Sequence, residues 1–143
     1  MITNSTVAAL AAESKHAEAL AGKWVTARKV LVASCGWSTY SHHVSITANE
    51  DINVSGIKEL LDEVAGSIHG QPNLIKEAMN GLVISVGCFV PELIKAAKAT
   101  ARKMGEVVVD HGKTACKTPD ALAYIEKVEG MGRLGKKKRA ARC

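Results

Sequence analysis

Aromatic side chains are scarce in this sequence of 143 residues: two Trp, two Tyr and one Phe make up 3 % of it. An aromatic-rich sandwich is therefore excluded, and the abundance of Ala, Leu, Val and Ile favours helix packed closely on helix. Long hydrophobic runs are missing too. The apolar stretch 81–90 falls well short of the roughly 18 residues that a membrane-spanning helix needs, so no membrane partner is expected. The four cysteines, Cys35, Cys88, Cys116 and Cys143, form no C-x-x-C pair. Near the start, Glu13, Lys15, His16 and Glu18 interrupt what would be the apolar segment of a secretory signal. A reducing cytoplasm is the simplest compartment for such a chain.

What is present is enough for one compact domain and too little for two. Positive charge is concentrated at one end. Residues 131–143 carry Arg133, Lys136, Lys137, Lys138, Arg139 and Arg142 with no carboxylate, leaving 13 cations against 14 carboxylates in the rest of the chain. The sequence thus divides into a near-neutral body, 1–129, and a basic tail, 130–143. The tail is expected to be flexible and solvated, or to serve as an arm that contacts a polyanion.

Apolar periodicity places the helices. Asn4 or Ser5 can cap a first helix reaching Trp24, with Val7, Leu10, Ala17, Leu20 and Ala21 on one face. A second is expected over Val30–Ile46, with Leu31, Cys35, Tyr40 and Val44 inward. Gly36 within it costs about 1 kcal/mol relative to Ala, which close packing against a neighbour would explain. Ser55 can cap a third helix over Gly56–Ile68, where Ile57, Leu60, Leu61, Val64 and Ile68 form an apolar stripe. A fourth, Asn73–Phe89, is apolar on most sides and belongs at the centre. A fifth starts at Pro91 and ends near Gly105. The run 106–109 is expected to be extended linker, and Thr118-Pro119 to start a last short helix over Asp120–Val128. Helices of this length joined by short corners suggest an all-α protein built of antiparallel pairs, an α-solenoid.

Several motifs invite chemistry and are set aside by their spacing. Gly112-Lys113-Thr114 lacks the P-loop glycine five residues earlier, where Val107 stands, so no nucleotide cofactor is expected. His111 and Cys116 lack the closely spaced ligand pairs of structural zinc, so no metal is expected. Cys35 and His42 lie seven residues apart on one helix, about 10 Å of rise, too far for a nucleophile and its base. More useful are Lys95, Lys98 and Arg102, at i, i+3 and i+7, with Lys103 at their edge: a basic ridge suited to phosphate. Asn80, in an otherwise apolar helix, must be hydrogen-bonded or face a groove.

From about Trp24 onward, specific pieces recur in a fixed order. They include Lys23-Trp24, Gly36-Trp37, Ile68-His69, Ala78-Met79-Asn80 with Val86-Gly87, and residues 107–112. Residues 114–121, Tyr124-Ile125-Glu126-Lys127-Val128 and the Gly135-Lys136-Lys137-Lys138-Arg139 ending follow. In these pieces the chain resembles the AlkD-like family of DNA alkylation repair proteins, HEAT-like helical-repeat DNA glycosylases and their relatives. The resemblance implies a HEAT-like α-α superhelix, here its C-terminal portion, with a concave basic face for duplex DNA carrying alkylated bases. It also implies release of N3- or N7-alkylated purines without base flipping, helped by electrostatic stabilisation of a developing cation. The family's arginine three residues before Trp37 is Ser34 here, and its second cradle tryptophan would fall near Asn80 or Gly81. No catalytic residue is therefore carried over, and the catalytic set is unknown.

The expected DNA contacts are Lys95, Lys98, Arg102, Lys103, Arg133, Lys136, Lys137, Lys138, Arg139 and Arg142. Trp37, Asn80, His111, Lys113 and Lys117 are the expected groove and loop residues. No cofactor is implied. A non-catalytic scaffold for protein interaction is the alternative, and the charge of the groove discriminates between the two.

Overall fold

The apolar periods become seven α-helices in the computed structural model, which describes residues 6–114 and 116–141. Among the described residues these are α1 (Ala8–Glu13), α2 (Ala17–Val25), α3 (Val30–Ile46), α4 (Val54–Ser67), α5 (Asn73–Phe89), α6 (Ile94–Met104) and α7 (Ala121–Gly130). Short 3-10 turns, Asn49–Asp51, Ile68–Gly70 and Pro91–Leu93, lead into or out of them. None of these helices is long and apolar enough to cross a membrane.

The bounds of α3 and α5 coincide with those expected from periodicity. The expected first helix is instead two. Ser14 is extended, at φ −83° and ψ 156°. Its hydroxyl donates to Ala11 O at 2.8 Å and accepts the His16 N–H at 3.2 Å, giving the backbone an alternative to a continuous helix. The expected cap at Asn4 or Ser5 lies outside the described residues. Two other caps differ. Asn53 rather than Ser55 caps α4, accepting from Gly56 N at 3.1 Å, and the helix starts at Val54. Asp120 caps α7, accepting from Ala123 N at 2.9 Å, while the Thr118 hydroxyl is engaged with His111 instead.

Contacts between the helices arrange them in two layers. One layer runs α3, α5, α7, each packed on the next. In the other, α4 packs on α6, with α2 beside α4 across a shared cleft. The core between them holds Trp37, Val44, Ile57, Leu61, Val64, Ile68, Met79, Leu82, Val83, Val86 and Ile125, each 1 % exposed or less. Burying each such side chain contributes about 1.5–3 kcal/mol, and α5, apolar on most sides, takes the central place. Leu31, expected inward, is 38 % exposed, because Ala33 and Trp37 define the buried face of α3. Gly36 performs the close approach its position suggests. A Cβ there would stand 2.6 Å from Val25 N and 2.9 Å from Trp24 C, so only glycine lets α3 meet the end of α2 this closely.

The basic C-terminal segment departs most from expectation. Rather than a solvated tail, 133–141 is a strap that crosses the C-terminal ends of α5 and α3. The last four carbonyls of a helix lack partners within it, and the strap supplies donors to two of them at the end of each helix. Gly135 N donates to Cys88 O at 2.7 Å and Lys138 N to Ser45 O at 2.8 Å. The Lys137 ammonium donates to Val44 O at 2.9 Å and Phe89 O at 2.7 Å. Further on, Ala141 N donates to Glu13 Oε1 at 3.0 Å, and Ala141 is buried with Ala9 and Ala12 of α1. Lysines also suit the negative ends of two helix dipoles. Charge pattern alone reads such a run as solvated; the hydrogen bonds it makes through its backbone are invisible to that reading.

Candidate nucleic-acid interface

On the outward side of the α3/α5/α7 layer lies a trough. Between α3 and α5 it is lined by Ser38, Ser41 and His42 facing Glu77, Ala78, Gly81 and Ser85. Ser85 also belongs to the next stretch, a cavity of about 350 Å³ between α5, α7 and the strap. Its walls are Ile84, Cys88 and Phe89 of α5, Tyr124 and Val128 of α7, and Met131, Arg133, Lys136 and Lys138. Small residues keep the α3/α5 part shallow, so an incoming backbone can approach the helices. Nothing lies within 4 Å of where a Cβ on Gly81 would be.

The trough is electropositive at its strap end. Arg133, Lys136 and Lys138 are exposed at its rim, and among the described residues none of them forms an ion pair. Lys138 instead stands 5.8 Å over the ring of Phe89. Burial, and then the Lys138 charge, hold the His42 imidazole below its ordinary pKa. Glu77 is the carboxylate that lines the trough, and it lies 3.6 Å from His111 Nδ1. In the α2/α4 cleft the sign reverses: Glu18, Glu59 and Glu63 line it, and together with burial Glu18 and Glu63 hold the Tyr40 hydroxyl above its usual pKa. The acidic cleft and the cations of the strap thus lie on different layers.

The expected site residues divide accordingly. Trp37 and Asn80 are each 1 % exposed and do not reach a groove; Trp37 is core. Asn80 donates to Pro119 O at 2.9 Å, tying the loop 105–120 to α5. Lys76 Nζ to Val108 O at 3.1 Å and Asp110 N to Asn73 Oδ1 at 3.3 Å fasten it further. His111 Nε2 lies 2.8 Å from Thr118 Oγ, so His111 closes the loop on itself. Lys113 and Lys117 are exposed on that loop. The ridge of α6 is on the other layer. Lys98 is paired with Glu129 at 2.5 Å, Lys103 lines the cleft facing α4, and Lys95 and Arg102 are exposed. Lys137 is spent on helix carbonyls and is no phosphate contact. Arg139 is exposed, and Arg142 lies outside the described residues.

Residues that sequence reasoning missed are Tyr124, Phe89, Ser38, Ser41 and Ser85. The signal available was the run of small residues at helical spacing on α3 and α5. Among the described residues no group of three or more His, Cys, Asp or Glu is arranged to hold a metal ion. Cys88 is buried and its thiol pushed up to about 11, which removes it as a nucleophile at neutral pH.

A two-layer stack of paired helices is the arrangement of a helical-repeat protein. A solved structure superposes over 100 % of this chain and 61 % of its own, with a TM-score of 0.91 and 30 % identity. It comes from a family related to the HEAT-like repeat DNA glycosylases, with affinity for branched DNA structures. The chain has that HEAT-like repeat fold. Two uncharacterized Listeria proteins are similar in sequence. That of Listeria innocua is 35 % identical and that of Listeria monocytogenes 34 %, each over 116 residues. Both alignments cover 80 % of this chain, which spans about half the length of these curated relatives, 49 %. No protein-family model matches the chain.

Proposed function

We propose that this chain is a DNA-binding helical-repeat module of the group related to the alkylation repair glycosylases, and that its ligand is branched DNA. The observation that supports this reading is the trough: three exposed cations, Arg133, Lys136 and Lys138, on the same face as an exposed Tyr124 and a shallow, small-residue floor. The affinity of the structural neighbour for branched DNA supports it independently. What distinguishes this trough from a protein-binding scaffold is charge: Arg133, Lys136 and Lys138, rather than carboxylates, stand at the rim of its strap end.

Fluorescence anisotropy with a labelled four-way junction and a linear duplex of the same sequence tests the reading. Three or four phosphate contacts make the affinity fall by roughly 40- to 150-fold between 50 and 200 mM salt. The junction should bind more tightly than the duplex. Absence of binding at low salt, or binding indifferent to salt, ends the proposal. Excision of N3- or N7-alkylated purines is the narrower reading, with Glu77 the acidic side chain at hand. Chromatography of methylated DNA decides it: base release above the spontaneous rate, lost in Glu77→Gln, would establish excision, and release at the spontaneous rate leaves binding alone.

A further inference from the structure

Two large apolar side chains stand in water beside the cations of the strap: Tyr124 is 46 % exposed and Met131 50 %. Both line the 350 Å³ cavity, whose floor is Ile84, Cys88 and Val128. An intact duplex presents phosphate and sugar along its outside and would leave this apolar floor unmatched. A branch point offers something else, a nucleotide whose base has lost its stacking partner. The cavity is at the lower end of the roughly 300–1,000 Å³ seen for small-ligand pockets, a size for one such unit.

The position of Tyr124 is held from beneath. Its neighbour Ile125 is fully buried against Gly87, where any Cβ would collide with the Ile125 side chain, so α7 sits tight on α5. Tyr124 therefore projects from a fixed helix at the cavity wall. The other ring, Phe89, already has the Lys138 ammonium over its face, which leaves Tyr124 as the free stacking surface. Sites for unpaired nucleic acid combine a positive groove with an aromatic face, tolerant of sequence because every base has a π-face.

We infer, resting on the DNA reading above, that the cavity between α5, α7 and the strap holds one unstacked nucleotide of a DNA branch point. Its base lies against Tyr124 and the apolar floor, and its phosphate against Arg133 and Lys136. The probe is a forked duplex carrying 2-aminopurine at the unpaired position next to the fork, with a blunt linear duplex as reference.

The wild-type chain should quench the 2-aminopurine fluorescence. Tyr124→Ala should abolish the quenching and weaken fork binding by about tenfold, several-fold more than it weakens binding of the linear duplex. Tyr124→Phe should restore both signals, and since the side chain is exposed, thermal melts should match for all three proteins. The inference is overturned if Tyr124→Ala weakens fork and duplex equally, or changes neither. It is also overturned if the wild type binds the fork without quenching the 2-aminopurine. A wild type that binds no DNA at low salt overturns the DNA reading itself, an outcome distinct from these.

Discussion

The Lys137 ammonium donates to the Phe89 carbonyl at 2.7 Å, at the C-terminal end of α5, and the same group reaches Val44 O of α3 at 2.9 Å. One side chain thus joins the ends of the two longest helices. Burial lowers its pKa, and the two carbonyls hold it in place. Lys137→Met keeps the stem and removes the donors, leaving two helix-end carbonyls without partners. Stability should fall by about 1–3 kcal/mol in urea unfolding. A change within about 0.5 kcal/mol, the range of an ordinary surface substitution, would show that the strap is held by its backbone bonds alone.

Two glycines in facing helices should respond in opposite directions. At Gly36 a Cβ meets main-chain atoms of Trp24 and Val25, so Gly36→Ala must push α3 away from α2, at a cost of about 1–3 kcal/mol. At Gly81 the space is open, and Gly81→Ala should stabilise α5 by roughly 0.5–1 kcal/mol. Thermal unfolding of the two variants reads both signs. Because the Gly81 methyl would stand in the trough, junction affinity should drop even as the melting temperature rises, and a rise in both would place the DNA elsewhere.

His42 gives the trough a pH dependence. Its pKa is lowered by burial first and by Lys138 second, while Glu77 across the trough is the facing carboxylate. An unfolded chain takes up the proton more readily, near pH 6.5, than the folded one does. The contribution of His42 to stability is therefore complete above about 6.5 and is lost as the pH falls below it. In a proton-NMR titration its midpoint should lie below the ordinary imidazole value. Lys138→Met should raise that midpoint only part of the way, because burial remains. An unmoved midpoint would mean that the Lys138 charge does not act on His42.

Much of this architecture was legible beforehand, and the exceptions share a cause. Helices α3 and α5 follow from unbroken apolar periods, and the packing role of Gly36 from its cost in a helix. The break at Ser14 was not legible, because one hydroxyl bonding its own backbone outweighs a continuing pattern. Spacing correctly grouped Lys95, Lys98 and Arg102 on one face of α6, but spacing does not say which layer a helix joins. Likewise the charge run at the C-terminus hid a strap whose hold is in backbone N–H groups and in Lys137. Tyr124 stood out only as part of a family motif; its exposure depends on Ile125 seating against Gly87 across two helices.

That division of cations between layers yields the sharpest test of the interface. Arg133→Gln, Lys136→Gln and Lys138→Gln together remove three charges from the trough rim. Lys95→Gln, Arg102→Gln and Lys103→Gln remove three from the α4/α6 side. Net charge changes equally, so long-range steering is affected about equally in both. Only groups that touch phosphate release counterions on binding, at a slope of about 0.9 per contact. The rim variant should therefore lose roughly three units from the log–log salt dependence of junction binding, and the α6 variant close to none. The reverse result would move the interface to the α4/α6 layer and restore the ridge read from sequence. Equal losses would mean that both layers contact DNA, which a single face cannot produce.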